Sequence, residues 1–210
     1  NQASTLRLLI QAKGDISKGS LNGWNPIVAA GFSGYVEVAQ VLIESKADLE
    51  NPQEGNSTAT QLAAEKGHWD VLKLLLRAKS DPNNPTAQEE CSPLFMASQF
   101  DCVDNVELLL KFKANIEQRS SDGTTPLGIA CYYGACRSVK ALIKGKADVN
   151  AANGCHGPPL VVAEEFAVYI KGNGTLDRQD AVTDMINELL KAGATRVNET
   201  TNWNATNNEY

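Results

Sequence analysis

Apolar residues recur along this chain in clusters that repeat at a nearly constant distance. In residues 122–150 a short apolar helix can start at Pro126, and a second helical pattern follows a glycine. In the second pattern Val139, Leu142 and Ile143 occupy positions i, i+3 and i+4, which form one face of a helix. Such short helices are marginal alone, because most helical stability comes from packing an apolar face. The pattern therefore predicts a helix pair that needs a neighbour like itself.

Each predicted helix pair ends in a lysine, a small residue and then Asp or Asn. A cluster of Leu, Ile, Val or Ala precedes each of these lysines, and the lysines are separated by 33, 33, 34 and 33 residues. A fixed period in this range is typical of stacked repeats. The lysines are Lys13, Lys46, Lys79, Lys113 and Lys146.

Residues 125–130, Thr-Pro-Leu-Gly-Ile-Ala, resemble the T-P-L-H-x-A motif of ankyrin repeats, and Gly67-His68 resembles the junction between the helices of that family. The resemblance implies an all-α solenoid of stacked helix-turn-helix units with short β-hairpin fingers. The histidine of the motif is missing in every copy, so we expect its hydrogen bonds to be absent. Its position holds Val28, Gln61, Phe95, Gly128 and Val161.

We expect the ankyrin array to cover residues 1–195. A half repeat at 1–17 contains only a second helix, so we expect either a longer polypeptide or another element covering this end. The last repeat, at 153–195, is irregular and carries an insertion at 168–181. The polar, Asn-rich tail at 196–210 is expected to be disordered. Regular repeats are expected at about 20–50, 53–83, 87–117 and 120–150.

The resemblance also implies which side chains face the concave groove: the residue before the Thr-Pro position and the two residues before the junction glycine. Six of the 13 aromatic residues fall on 15 such positions. Exposed aromatic clusters usually mark a partner surface, although some rings could instead pack against the insertion or neighbouring fingers. The predicted protein-binding residues are Trp24, Phe32, Glu65, Lys66, Gln99, Phe100, Tyr132, Tyr133 and Phe166. Trp69, in contrast, is expected to replace a core leucine on an outer helix.

The repeated lysines stand where the family has glycine after a helix. A left-handed conformation at a lysine costs roughly 1 kcal/mol or more, and a cation near a helix C-terminus recovers only part of that cost. We therefore interpret the lysines as helix-end residues. The functional alternative is a basic edge that binds an acidic partner.

Composition excludes several classes of function. The net charge of −6 and the pI near 5.0 argue against sequence-independent binding of nucleic acid, which needs a basic surface. No apolar run reaches about 18 residues, so we expect no membrane insertion.

No residue pattern predicts catalysis, a cofactor or a metal site. The chain has two histidines: His68 is expected to cap a helix junction, and His156 neighbours Cys155 in a finger. A zinc site needs about four ligands at defined spacings, and none is predicted. The five cysteines form no C-x-x-C pair, and Cys131 occupies a helix position typical of a buried free thiol. We therefore expect an intracellular, cytoplasmic location.

The leading hypothesis is a non-catalytic protein-protein interaction module that binds a partner protein through its concave groove and finger tips. One alternative is an architectural accessory subunit of a larger multiprotein assembly. The other is a regulatory ankyrin segment of a larger multidomain protein. The fold does not specify the partner's identity.

Overall fold

The computed structural model describes residues 2–15, 24–52 and 57–196. Eleven α-helices and one short 3₁₀ turn, at Gly154–His156, occur in these ranges. The helices are α1 Gln2–Gln11, α2 Pro26–Ser33, α3 Val36–Glu44, α4 Ala59–Glu65, α5 Trp69–Arg77, α6 Pro93–Gln99, α7 Val103–Lys111, α8 Pro126–Tyr133, α9 Cys136–Lys144, α10 Pro159–Asn173 and α11 Leu176–Lys191.

The helices stack in two rows. In the inner row α2, α4, α6, α8 and α10 each contact the next, and in the outer row α1, α3, α5, α7, α9 and α11 do the same. Within each repeat the inner helix also packs on the outer helix that follows it. The predicted all-α solenoid is confirmed.

The β-hairpin fingers are not found in the described ranges, where no strand is assigned. Between α7 and α8 the loop forms successive turns. The Gln118 N–H donates to the Asn115 carbonyl (3.2 Å), and at the tip the Ser120 N–H donates to the Thr124 carbonyl (3.0 Å) and the Gly123 N–H to the Ser120 carbonyl (2.9 Å). The tip is too short to form a strand ladder.

The core consists of leucines that recur with the repeat. Leu42, Leu75, Leu109, Leu142 and Leu189 are each 0% exposed. Each lies on an outer helix and belongs to one continuous hydrophobic cluster that runs through the stack. Every repeat therefore shields the apolar face of its neighbour, as expected for a solenoid.

The repeated lysines all adopt the left-handed conformation, with φ between 60° and 71°. In each case the residue after the lysine donates its N–H to the carbonyl of the leucine five positions earlier; Ala47 to Leu42, for example, spans 3.0 Å. This is the hydrogen bond of a Schellman helix end. The structure therefore confirms that each lysine follows a helix end in the left-handed conformation, whereas a basic edge that binds an acidic partner stays a prediction.

A second set of left-handed residues ends the inner helices at Gly34, Gly67, Asp101 and Gly134. The equivalent position in the last repeat is Ala167, which stays helical within α10. As a result α10 has 15 residues, whereas the other inner helices have 7 or 8.

Neighbouring loops are joined by side chains that accept a backbone N–H from the next repeat. Glu50 Oε1 accepts from Asp81 (2.9 Å) and Glu117 Oε1 accepts from Asp148 (2.8 Å), each across 31 residues. At the last repeat Asn150 Oδ1 accepts from Thr195 (2.9 Å) across 45 residues, which is 14 residues longer. The last loop therefore bonds to its neighbour in the same way as the earlier loops do, and the 14 additional residues are contained in the α10–α11 pair.

The expected loss of the motif histidine's hydrogen bonds is wrong at Gln61. Its Oε1 accepts the Thr58 N–H at 2.6 Å, and its Nε2 donates to the Asn84 carbonyl at 2.7 Å. An amide carries both a donor and an acceptor, so the Gln61 side chain joins the start of α4 to the loop that precedes α6.

The same expectation is wrong at Gly128, where the next repeat supplies the amide. Asn153 Oδ1 accepts the Thr125 hydroxyl at 2.6 Å and the Thr125 N–H at 3.1 Å, and its Nδ2 donates to the Gly157 carbonyl at 3.0 Å. A Cβ on Gly128 would lie only 2.3 Å from Asn153. The absence of a side chain at Gly128 therefore leaves room for Asn153.

None of the helices in the described part of the chain combines the length and the apolar character that crossing a bilayer requires.

Candidate binding groove

Most of the predicted binding residues lie at the C-terminal ends of successive inner helices. These ends carry Phe32 on α2, Glu65 and Lys66 on α4, Gln99 and Phe100 on α6, and Tyr132 and Tyr133 on α8. Because the inner helices are neighbours, their ends form one continuous edge, which we call the inner-end groove. Phe32 is 39% exposed, Phe100 50%, Tyr132 46% and Tyr133 48%.

Lys66 connects three repeats within this groove. Its Nζ lies 5.2 Å from the centre of the Phe32 ring and 5.9 Å from the centre of the Phe100 ring. The Glu65 carboxylate lies 2.5 Å from the same Nζ. Each cation–ring contact at an exposed site stabilises by about 0.5–1 kcal/mol. Lys66 therefore helps to hold both rings in place at the surface.

Trp24 and Gln99 contribute less exposed surface. The Trp24 ring packs edge-to-face on Phe32, with ring centres 4.8 Å apart, and contacts the hydrophobic core. Gln99 is half-buried at the last residue of α6. For Trp24 the alternative of packing within the array therefore holds at least in part.

A cleft of about 450 Å³ lies where α8 faces α10 and α11. Two ring pairs line it: Tyr132 with Tyr133, whose centres are 5.2 Å apart, and Phe166 with Tyr169, at 6.3 Å. The structure thus brings Phe166 close to the tyrosines, although Phe166 lies inside α10 and not at a helix end. We call this the tyrosine cleft; its remaining lining residues are Val162, Glu165 and Arg178.

Tyr169 and Arg178, which lie in the long helices of the last repeat, also line the cleft but are not among the predicted binding residues. Arg178 places its guanidinium carbon 5.5 Å from the centre of the Phe166 ring. Phe166 itself packs over Gly134, where an added Cβ would lie 2.1 Å from the ring. Tyr169 and Arg178 have no equivalent positions in the regular repeats, because they lie within the predicted insertion at 168–181, so aligning the repeats could not indicate them.

The family model described as ankyrin repeats, in three copies, matches residues 1–86 and 60–153, well over half of the chain. The chain belongs to the ankyrin-repeat family. No curated protein matches it. Ankyrin repeats are generally protein-protein interaction modules and typically not enzymes.

Two side chains, those of His68 and Asp101, make polar contacts that fix the groove end of the ankyrin repeats. His68 Nε2 lies 2.9 Å from the Phe32 carbonyl, so this ring caps the end of α2 and not its own helix. Asp101 takes the place of the junction glycine, and its carboxylate accepts from Arg137 Nε (2.9 Å) and from the Ser138 N–H (2.8 Å). Each bond joins an inner-helix end to the repeat that follows.

Trp69 is half-buried and packs against the core from the outer row, with Lys73 Nζ 4.2 Å from its ring centre. It also lines an open outer cleft of about 620 Å³ together with Asp104, Glu107, Leu108 and Lys111. The prediction that Trp69 occupies a core position is therefore correct for part of the ring.

The described residues contain no group of three or more His, Cys, Asp or Glu placed to hold a metal ion. The ring of His156 packs on Tyr132, with ring centres 4.9 Å apart. Cys91, Cys102, Cys131 and Cys136 are free thiols. Cys131 is fully buried, which confirms the predicted buried thiol. Burial raises the pKa of Cys131 above its ordinary range, and burial together with Glu89 raises the pKa of Cys91 to about 12.

Proposed function

We propose that this ankyrin-repeat chain is a non-catalytic module that binds a partner protein through its inner-end groove and the adjoining loops. The observation that carries the proposal is the row of half-exposed rings at the ends of α2, α6 and α8, namely Phe32, Phe100, Tyr132 and Tyr133. Aromatic side chains at a surface are the usual energetic anchors of protein interfaces. Their regular placement supports recognition of an extended surface that crosses several repeats.

Binding by such a groove depends on order that exists before the partner arrives. Lys66 holds the rings of Phe32 and Phe100, and Tyr132 and Tyr133 pack on each other. Side chains that are already restrained lose less conformational entropy on association. We propose the cytoplasm as the location, since the free thiols Cys91, Cys102, Cys131 and Cys136 suit a reducing compartment.

Affinity capture followed by quantitative mass spectrometry tests the proposal. The variant Tyr132→Ala with Tyr133→Ala should lose the proteins that co-purify with the native chain, at unchanged helical circular dichroism. A matched control removes two exposed leucines from α1, Leu8→Ala with Leu9→Ala, which are 66% and 57% exposed. Equal capture by all three chains would show that the groove is not the binding surface.

An architectural accessory subunit is the second candidate, because Val168 and Leu176, near the connection of α10 to α11, are 69% and 73% exposed. A permanent subunit would bury these side chains against its neighbours. Sedimentation of the isolated chain separates the two functions. A transient module should be monomeric, whereas an obligate subunit should self-associate or aggregate, and Val168→Ser with Leu176→Ser should reverse that association.

A further inference from the structure

Aromatic rings along the groove already carry cations from the chain itself. Lys66 lies over Phe32 and Phe100, and Arg178 lies over Phe166. The face of an aromatic ring is electron-rich and attracts ammonium and guanidinium groups. The groove is therefore built from ring faces that accept positive charge.

Tyr132 and Tyr133 are different, since among the described residues neither ring has a Lys or Arg side chain over its face. The carboxylate of Glu165, which lines the same cleft, has no hydrogen-bond or ion-pair partner in the described part of the chain. The only cation lining this cleft is Arg178, which stacks on Phe166 and makes no ion pair with the described residues. Tyr132 packs against the ring of His156, at 4.9 Å between centres, and edge-to-face against Tyr133. The tyrosine cleft thus combines two rings that carry no Lys or Arg with a carboxylate that has no partner in the described part of the chain.

We propose that the tyrosine cleft receives an arginine or lysine side chain from a partner peptide, over the rings of Tyr132 and Tyr133 and beside Glu165. This inference rests on the proposed function and adds the chemistry of the partner. The complementarity is electrostatic: ring faces and a carboxylate on this chain, and a cation on the other. The net charge of −6 favours the approach of a basic segment in the same way.

Arg178 would then compete with the cation of the partner peptide within the tyrosine cleft. It covers the face of Phe166 and supplies positive charge that repels an incoming cation. Removal of Arg178 should strengthen the binding of a basic ligand, whereas it should weaken the binding of an acidic one. The sign of this single effect therefore distinguishes the two kinds of occupant.

Fluorescence anisotropy with the full chain tests the proposal. The probes are a fluorescein-labelled peptide of alternating glycine and arginine, the same peptide with neutral citrulline in place of arginine, and one with glutamate in place of arginine. The arginine peptide should bind more tightly than the citrulline peptide by about 2- to 5-fold per engaged side chain. The glutamate peptide should bind more weakly than both.

Charge-matched variants locate the effect. Glu165→Gln should weaken arginine-peptide binding about 1.5- to 5-fold, the value of an exposed ion pair, whereas Glu188→Gln should leave it unchanged, because Glu188 pairs with Lys191 on α11. Arg178→Ala should strengthen binding by a similar factor. Lys144→Ala on α9 changes the net charge equally but should have no effect.

Three outcomes overturn the proposal: equal binding of the arginine and citrulline peptides, weaker arginine-peptide binding after Arg178→Ala, or equal effects of Glu165→Gln and Glu188→Gln. Tighter binding of the glutamate peptide would reassign the cleft to an acidic partner. Failure here is separable from failure of the proposed function, because partner capture can still depend on Tyr132 and Tyr133 when the arginine peptide does not bind.

Discussion

The side-chain oxygen of Asn153 lies 2.6 Å from the hydroxyl of Thr125 and 3.1 Å from its backbone nitrogen, across 28 residues of sequence. Both residues are buried, at 0% and 1% exposure. A single amide therefore joins the start of α8 to the loop that precedes α10, at a place where the motif histidine is missing.

We predict that Asn153→Ala destabilises the chain by about 1–3 kcal/mol, because it leaves the Thr125 donors buried without a partner. Gly128→Ala should also destabilise it, because the added Cβ collides with Asn153. The double variant should cost less than the sum, since Asn153→Ala removes the collision. Urea unfolding measures all three values, and strict additivity would contradict the coupling.

The left-handed lysines give a second prediction. Lys79 has φ 71°, a conformation that costs roughly 1–2 kcal/mol in a residue with a Cβ. A glycine at this position would remove that cost, but part of the gain is lost because glycine has more conformational freedom in the unfolded chain. Lys79→Gly should therefore raise the free energy of unfolding by about 0.5–1 kcal/mol. Lys79→Ala is the control and should not stabilise, because alanine keeps the Cβ; stabilisation by both variants would instead implicate the charge.

The sequence was sufficient for the repeat and for most helix positions. The 33-residue spacing of residues such as Lys46 and Lys79 follows directly from stacking identical helix pairs, so it is visible without a structure. The left-handed φ at each lysine was also predictable, because the position follows a helix that must end there.

The hydrogen bonds by which Gln61 and Asn153 replace the motif histidine could not be predicted in the same way, and neither could the tyrosine cleft. Asn153 lies in the next repeat and accepts the hydrogen bond of Thr125 across 28 residues, so no local sequence pattern reveals this bond. Tyr169 and Arg178 lie in a part of the last repeat that has no equivalent elsewhere in the chain. Their direction relative to the groove depends on how α10 and α11 pack, and only the structure shows that packing.

Asp122 gives a prediction for the dependence of stability on pH. Partial burial acts to raise the pKa of Asp122, but hydrogen bonds to its carboxylate from Ser120 Oγ (2.6 Å) and the Thr124 N–H (3.0 Å) outweigh burial, so the pKa lies below its ordinary value. A depressed pKa in the folded state contributes stability that is present above the unfolded-state pKa and is lost as the pH falls through the folded-state pKa.

Asp122→Asn should therefore be less stable than the native chain at neutral pH, and the difference should shrink as the pH falls below about 4. Urea unfolding of the two proteins at several pH values measures it. Asp70→Asn on the exposed side of α5 is the control, since none of the described residues donates a hydrogen bond to its carboxylate. A difference that stays constant with pH would contradict the assignment.

The cysteines should differ in reactivity. Burial raises the pKa of Cys131 and leaves the side chain with no exposed surface, and only the thiolate reacts with alkylating reagents. In the native protein, iodoacetamide should modify the half-buried Cys102 before Cys131, and Cys131 should react only after unfolding in urea. Mass spectrometry of the peptides measures each rate. Equal rates in the native state would contradict the packing of α8.

Hydrogen–deuterium exchange of the full chain, with and without a co-purified partner, tests the binding groove most directly. The groove predicts that the partner slows exchange at the C-terminal ends of α4, α6 and α8, around residues 65–66, 99–100 and 132–133. The outer helices α5, α7 and α9 should exchange at the same rate in both samples. Slower exchange confined to the outer helices, with the inner-helix ends unchanged, would contradict the account.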